Sequence, residues 1–245
     1  MAVTVIPFVF PGIAGVRCAF QVRAPGGADS FAGNVSLSVG GDPDRTARNR
    51  RDLAAACGLG GLAEVRQVHG DGIVFEPEAV DAGSAPAREA DGMAAGRPGP
   101  GLMIKTADCQ PLFLAHASGR YVAALHVGWR GNRMDYPGTG VRAFCSRYGL
   151  DPAEISAVRG PSLGPAAAEF VNFASEWGKE FLPWFDSTRR TMDLWRLTRH
   201  QLQTAGLKPE RVFSLDLCTH SLPGVFFSHR RDQRCGRQGS VIWME

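Results

Sequence analysis

Between residues 102 and 127 the chain reads LMIKTADCQPLFLAHASGRYVAALHV. The runs LMIKTA, LFLAHA and YVAALHV are apolar on successive positions, as expected of strands covered on both faces. Ser118-Gly119 between the last two turns them into a hairpin. A segment like this must become the core of a sheet and be covered by other elements, which points to an α/β fold. It also carries a cysteine at the mouth of one run and a histidine at the end of another, and a core strand has no packing need for either.

With 245 residues and 44% hydrophobic content, the chain can fill one large core. We read residues 1–245 as a single domain, a mixed sheet with flanking helices. VRCAFQV (16–22) and NVSLSV (34–39) alternate as strands do, with Gly-rich APGGADSFAGN turning between them. Asp42 followed by Pro43 predicts an N-cap and a helix through Leu53 to Cys57, stopped by Gly58. EVRQVH (64–69) and IVFE (73–76) predict a strand pair around Gly70-Asp71-Gly72, and 77–100 a long surface connection. Helices are expected near 139–148, 172–181 and 192–205, and short strands at ISAVRG, RVFSLD and GSVIWM.

A net charge of +3 from 27 basic and 24 acidic residues, without a run of five or six like charges, gives no nucleic-acid surface. Six dispersed cysteines without a C-x-x-C read as free thiols of a reducing compartment. The N-terminal stretch has no basic leader, and Pro7 and Pro11 interrupt its apolar run well short of a membrane span. The expectation is a cytoplasmic protein.

Three residues at predicted strand ends carry the chemistry: His69 in QVHG, Cys109 in TADCQP and His126 in HVGWRG. Two imidazoles and a thiolate make a three-ligand set for zinc or copper, with a fourth position for water or substrate. They lie 40 and 17 residues apart, so residue type carries this reading and spacing does not. Taken singly, Cys109 is more often a buried small apolar residue and His69 a satisfied turn histidine. The same three groups also read as a metal-free cysteine hydrolase, with Cys109 as nucleophile, His126 as base and His69 in support.

QVHG, ADG (90–92), KTADCQP, HVGWRG, GPSLG, FFSHRRD and CGRQG, in that order, closely resemble the YfiH family. It is also called the laccase-domain or multicopper polyphenol oxidase family, or the peptidoglycan editing factor family. The resemblance implies an α/β fold similar to that of a bacterial deamidase toxin, and a zinc ion on two histidines and a cysteine, which fall here on His69, Cys109 and His126. It also implies purine nucleoside phosphorylase activity, with adenosine deaminase activity beside it; copper-dependent phenol oxidation is an older assignment. The chain's six histidines are too few for a cluster of several coppers.

The implied substrates are a purine nucleoside and phosphate. Deamination calls for a carboxylate proton shuttle beside the metal, and Asp108 is the first candidate. Phosphorolysis calls for an anion site: Arg130 is the first choice and Arg48 and Arg230 the second, since a guanidinium grips phosphate in two places. Asn34 matches an asparagine of the family and either meets substrate or caps a turn. Trp129 either stacks a purine or anchors the core. Many relatives carry a cysteine after GPSLG where this chain has Pro165-Ala166-Ala167-Ala168, so any role of that thiol is absent here. GNRMDYPGTG (131–140) is longer and more polar than the family's usual helix entry.

Overall fold

The computed structural model describes residues 3–24 and 29–245. In chain order its strands are β1 (Thr4–Phe8), β2 (Val16–Val22), β3 (Leu62–Ala63), β4 (Ile73–Phe75), β5 (Gly92–Ala95), β6 (Gly101–Thr106), β7 (Gln110–His116), β8 (Val122–Val127), β9 (Ile155–Arg159), β10 (Phe185–Asp186), β11 (Thr191–Met192), β12 (Val212–Ser214) and β13 (Gln238–Met244). The helices are α1 (Pro43–Ala56), α2 (Trp129–Arg133), α3 (Tyr136–Tyr148), α4 (Phe173–Glu176) and α5 (Leu194–Thr204).

The apolar runs do not share one sheet. A five-stranded sheet has the order β1-β2-β13-β6-β3 and a six-stranded sheet the order β12-β9-β7-β8-β5-β4. Both mix parallel and antiparallel pairs. The predicted hairpin is present, β7 against β8 with Leu112 opposite Leu125. LMIKTA instead becomes β6 of the other sheet, because the backbone turns out of β6 through Asp108 at φ 97°.

Alternation along the strands sorts their side chains into layers. Leu102 and Ile104 of β6, Phe113 and Ala115 of β7, and Val122 and Ala124 of β8 meet between the two sheets, with Phe20 and Ile242 from β2 and β13. There the rings of Phe20 and Phe113 stack at 5.4 Å. On the outer face of the six-stranded sheet, Leu112, Leu114 and Leu125 meet Val141 and Phe144 of α3 and Leu202 of α5. Beyond the five-stranded sheet, Met103 and Val241 meet Leu53 and Ala54 of α1. The architecture is thus helix, sheet, sheet, helix, and each fully buried large side chain in it contributes about 1.5–3 kcal/mol.

Asp42 caps α1 as the sequence predicts, its carboxylate accepting the Arg45 N–H at 3.1 Å, with Pro43 in the first turn. Other expectations are corrected. NVSLSV forms no strand: Asn34 Oδ1 accepts the backbone N–H groups of Ser36 and Arg237, so its side chain takes the place of a ladder partner. Part of the Gly-rich turn before it, residues 25–28, lies outside the described residues.

EVRQVH and IVFE form no hairpin either. Within 64–69 only Arg66 makes a bridge, and β4 pairs in parallel with β5. The helix expected at 172–181 shrinks to one turn, α4, followed by a 3-10 stretch, Lys179–Trp184, because Gly178 and Pro183 break it. The long connection over 77–100 contains β5.

Candidate metal centre

At one end of the layer between the sheets the apolar filling stops. Thr106 continues the inward row of Leu102 and Ile104, and His126 continues that of Val122 and Ala124. Both line a cavity of about 570 Å³ that opens there.

Three segments bring the sulfur and the two imidazoles together on its wall. Cys109 follows the Asp108 turn and His126 sits near the end of β8. His69 stands in a left-handed conformation, φ 61°, a costly backbone for a non-glycine residue. His69 Nε2 is 3.8 Å from Cys109 Sγ, and the two imidazole rings lie edge to face with centroids 4.8 Å apart. One donor atom from each of the three residues lies within 4.8 Å of the others. Gly128 makes room for them, since a Cβ there would stand 3.0 Å from Cys109 Sγ and 3.1 Å from His69 Cδ2.

Asp91 holds this arrangement and is the residue the sequence reading missed. Its carboxylate is fully buried. Oδ1 accepts from His126 Nδ1 at 2.7 Å, while Oδ2 accepts the N–H groups of Val68 (3.1 Å) and Gly70 (2.6 Å). One side chain therefore fixes the His126 ring and the strained turn that carries His69. Burial opposes its ionisation, but His126 and the two amides hold the Asp91 carboxyl below the usual carboxylate range. The signal available in the sequence was the ADG block itself, an acid placed directly before an apolar strand.

The electrostatics favour a charged pair. Burial pushes the Cys109 thiol up, yet the facing His126 and the hydrogen bonds from both imidazoles bring it down to about 6. Burial pushes His126 down, but Cys109 and Asp91 outweigh it and raise the imidazole to about 9. Because the Asp91 carboxylate engages Nδ1 of His126, its Nε2, once deprotonated, and the Cys109 Sγ are left as ligand atoms. The donor set of two nitrogens and one sulfur fits a single zinc or copper ion. Among the described residues this is the one group of three or more His, Cys, Asp or Glu side chains that could hold an ion.

The other predicted site residues divide. Arg130, on α2, lines the cavity with its guanidinium 4.4 Å from the Trp129 ring centroid. Among the described residues it has no carboxylate partner. Arg230 also lines it, its Nη1 donating to the Glu169 carbonyl at 2.9 Å. Trp129 does so too, but packs against Phe170 and Trp177. Asp108 is on the wall with both oxygens engaged, Oδ1 by Thr219 Oγ1 (2.7 Å) and Oδ2 by the Arg230 N–H (2.6 Å).

Two residues lie elsewhere. Arg48 is exposed on α1 and off the cavity, whereas Arg50, about 200° further round the helix, is buried and on its wall. Asn34 is buried outside the lining, its amide spent on Ser36, Thr46 and Arg237; it shapes the loop from which Ser36–Val39 reach the cavity. Besides Asp91, the sequence reading also missed Lys105. Its ammonium and the Arg50 guanidinium both pair with the buried Glu64.

The model for the family described as multi-copper polyphenol oxidoreductase laccase matches residues 17–245. A purine nucleoside phosphorylase of Xylella fastidiosa is 35% identical over 86% of this chain and 84% of its own length. The purine nucleoside phosphorylase YfiH of Escherichia coli is 31% identical, covering 86% of each chain. Among solved structures, YlmD from Geobacillus stearothermophilus superposes with a TM-score of 0.85 at 27% identity, over 96% of this chain and 94% of that one. The chain belongs to the YfiH, or laccase-domain, family.

Proposed function

We propose that this chain is a metal-dependent purine nucleoside phosphorylase, a single domain that holds one zinc ion on His69, Cys109 and His126. The observation that carries this reading is the convergence of those three side chains, braced by Asp91, on a cavity whose wall also presents Arg130, which has no carboxylate partner among the described residues. The names of the relatives in Xylella fastidiosa and Escherichia coli support the substrate class.

In phosphorolysis a phosphate oxygen forms a bond to the ribose C1′ as the bond from C1′ to the purine nitrogen breaks, and the electron pair leaves with the base. Arg130 binds and orients the phosphate with its planar fork. Asp91 keeps His126 in one tautomer and orientation, and the thiolate of Cys109 places negative charge beside it. Trp129, Phe170 and Leu163 exclude water from one flank of the cavity. The ion, when bound, supplies Lewis acidity toward the substrate group at the open position.

Adenosine deamination is the accompanying activity we assign to the same cavity. Asp108 is its nearby carboxylate, although its two hydrogen bonds must loosen before it carries a proton. The test is chromatography of a nucleoside panel with and without phosphate and chelator. Base released only when phosphate is present supports phosphorolysis, inosine formed from adenosine without phosphate supports deamination, and neither product at stoichiometric metal overturns the proposal.

A second reading rests on the Cys109–His126–Asp91 line, which matches a cysteine hydrolase with thiolate, imidazole and orienting carboxylate. It would act on an amide or ester, as in peptidoglycan editing. Activity that survives chelation and is lost on alkylation of Cys109 selects it.

A further inference from the structure

Arg130 is carried by α2, and the helix's own length does not keep it in place. It has five residues and its N-cap, Gly128, offers no capping side chain; a helix that short is unstable alone. Its anchor lies on the opposite face. Asn132 stands two residues, about 200°, round from Arg130, and is fully buried where Arg130 is exposed. We propose that Asn132, held by Gln110, Thr198 and Gln201, is a positioning residue that sets Arg130 at the phosphate and so governs phosphate affinity from outside the cavity.

The contacts form a closed ring. Gln110 Nε2 donates to Asn132 Oδ1 at 2.9 Å, Asn132 Nδ2 to Thr198 Oγ1 at 2.8 Å, and the Thr198 hydroxyl to Gln110 Oε1 at 3.0 Å. Asn132 Nδ2 also donates to Gln201 Oε1 at 2.9 Å, and Gln201 Nε2 returns to the Asn132 carbonyl at 2.6 Å. All four side chains are buried. In such surroundings an unmade hydrogen bond is costly and the bonds made reinforce one another, so the closed ring strongly favours one arrangement of its members.

The ring joins three parts of the frame around the site. Gln110 follows Cys109 directly and pairs with Val127, the residue after His126. Thr198 and Gln201 share one face of α5. Asn132 comes from GNRMDYPGTG, the polar stretch that sets this chain apart from the family's usual helix entry. The helix of Arg130 is thereby tied both to the hairpin end that bears two candidate ligands and to α5. In front, the Arg130 guanidinium lies 4.4 Å from the ring centroid of Trp129, a neighbour on the same helix, so it moves with α2. None of the four ring residues is among the described lining residues of the cavity, so any effect they have on a ligand must pass through what they hold. The inference rests on the reading of Arg130 as the residue that binds phosphate.

The test is calorimetric titration of the metal-loaded full chain with orthophosphate and with adenosine, for the wild type, Thr198→Val, Thr198→Ser, Gln201→Met and Arg130→Ala. Thr198→Val and Gln201→Met should each weaken orthophosphate roughly threefold to thirtyfold, the range of a coupling carried through packed neighbours, with adenosine affinity and metal content unchanged. Thr198→Ser keeps the hydroxyl and should bind phosphate as the wild type does. Arg130→Ala sets the ceiling, because a residue that acts through Arg130 cannot weaken phosphate more than the loss of Arg130 itself. Unchanged phosphate affinity in both α5 variants, an equal loss of adenosine or metal, or a loss beyond that of Arg130→Ala overturns the proposal, as does a wild type that binds no orthophosphate. Gln201→Met is close in length and volume and decides the matter should Thr198→Val not fold. Phosphate affinity that follows the ring, in a protein that releases no base from nucleosides, would sink the phosphorylase reading and keep the positioning role.

Discussion

Asp91 grips His126 twice: its Oδ1 accepts from the ring Nδ1 at 2.7 Å and its backbone carbonyl accepts the His126 N–H, also at 2.7 Å. The strand carrying one candidate ligand and the carboxylate that orients it are thus a single rigid unit. In Asp91→Asn the amide can still face His126 through its oxygen, but its NH₂ then meets the N–H groups of Val68 and Gly70, donor against donor. Metal affinity, measured by competition with a chromophoric chelator, is expected to fall about 10- to 100-fold. Unchanged affinity would mean that Asp91 does not support the centre.

Gly128 tests the same centre by filling space. In Gly128→Ala the new methyl lies closer to Cys109 Sγ and His69 Cδ2 than an ordinary contact allows. The expected outcome is sub-stoichiometric metal by elemental analysis, with far-ultraviolet circular dichroism unchanged. Full metal content would show that the two ligands can move apart.

The lowered Cys109 pKa gives a signed prediction for metal-stripped protein. An acid whose folded pKa lies at about 6 stays ionised as pH falls from 9 toward 6 and loses its charge below that. Alkylation of Cys109 by iodoacetamide, followed by peptide mass spectrometry, should hold its rate from pH 8 to pH 7 and fall with a midpoint near 6. Replacing His126 with alanine removes the facing imidazole's charge and hydrogen bond, so the midpoint should move up. A midpoint near the ordinary thiol value in the wild type would refute the charged pair.

Two arginines on α1 should separate cleanly in thermal melts. Arg48→Ala changes an exposed side chain and should shift stability by no more than about 0.5 kcal/mol. Arg50→Ala removes one partner of the buried Glu64, for which breaking a buried pair costs about 3–5 kcal/mol. Lys105 remains to share the load, so the lower end is expected. Equal melting temperatures for the two variants would contradict the buried ion pair.

Local features were readable from the chain where local physics decides them. The cap at Asp42, the β7–β8 hairpin and the last strand follow from capping, a Ser-Gly turn and apolar alternation. The three candidate ligands were readable by residue type because sulfur and imidazole at strand ends have few other uses. Features that depend on distant pairing were not readable. The division of the apolar runs between two sheets hangs on one left-handed residue, Asp108. NVSLSV alternates like a strand and was lost to the hydrogen bonds of a single asparagine side chain. Asp91 and Glu64 look like ordinary surface acids until their partners, 35 residues on for Asp91 and 41 for Glu64, are folded against them.

The stack of Phe20 on Phe113 sets how far apart the two sheets stand. His126 rides on one sheet and Thr106 on the other. The width of the cavity between the two sheet ends is therefore gauged by hydrocarbon that never meets a substrate, and a thinner aromatic pair would retune which molecules fit across it without altering any polar residue.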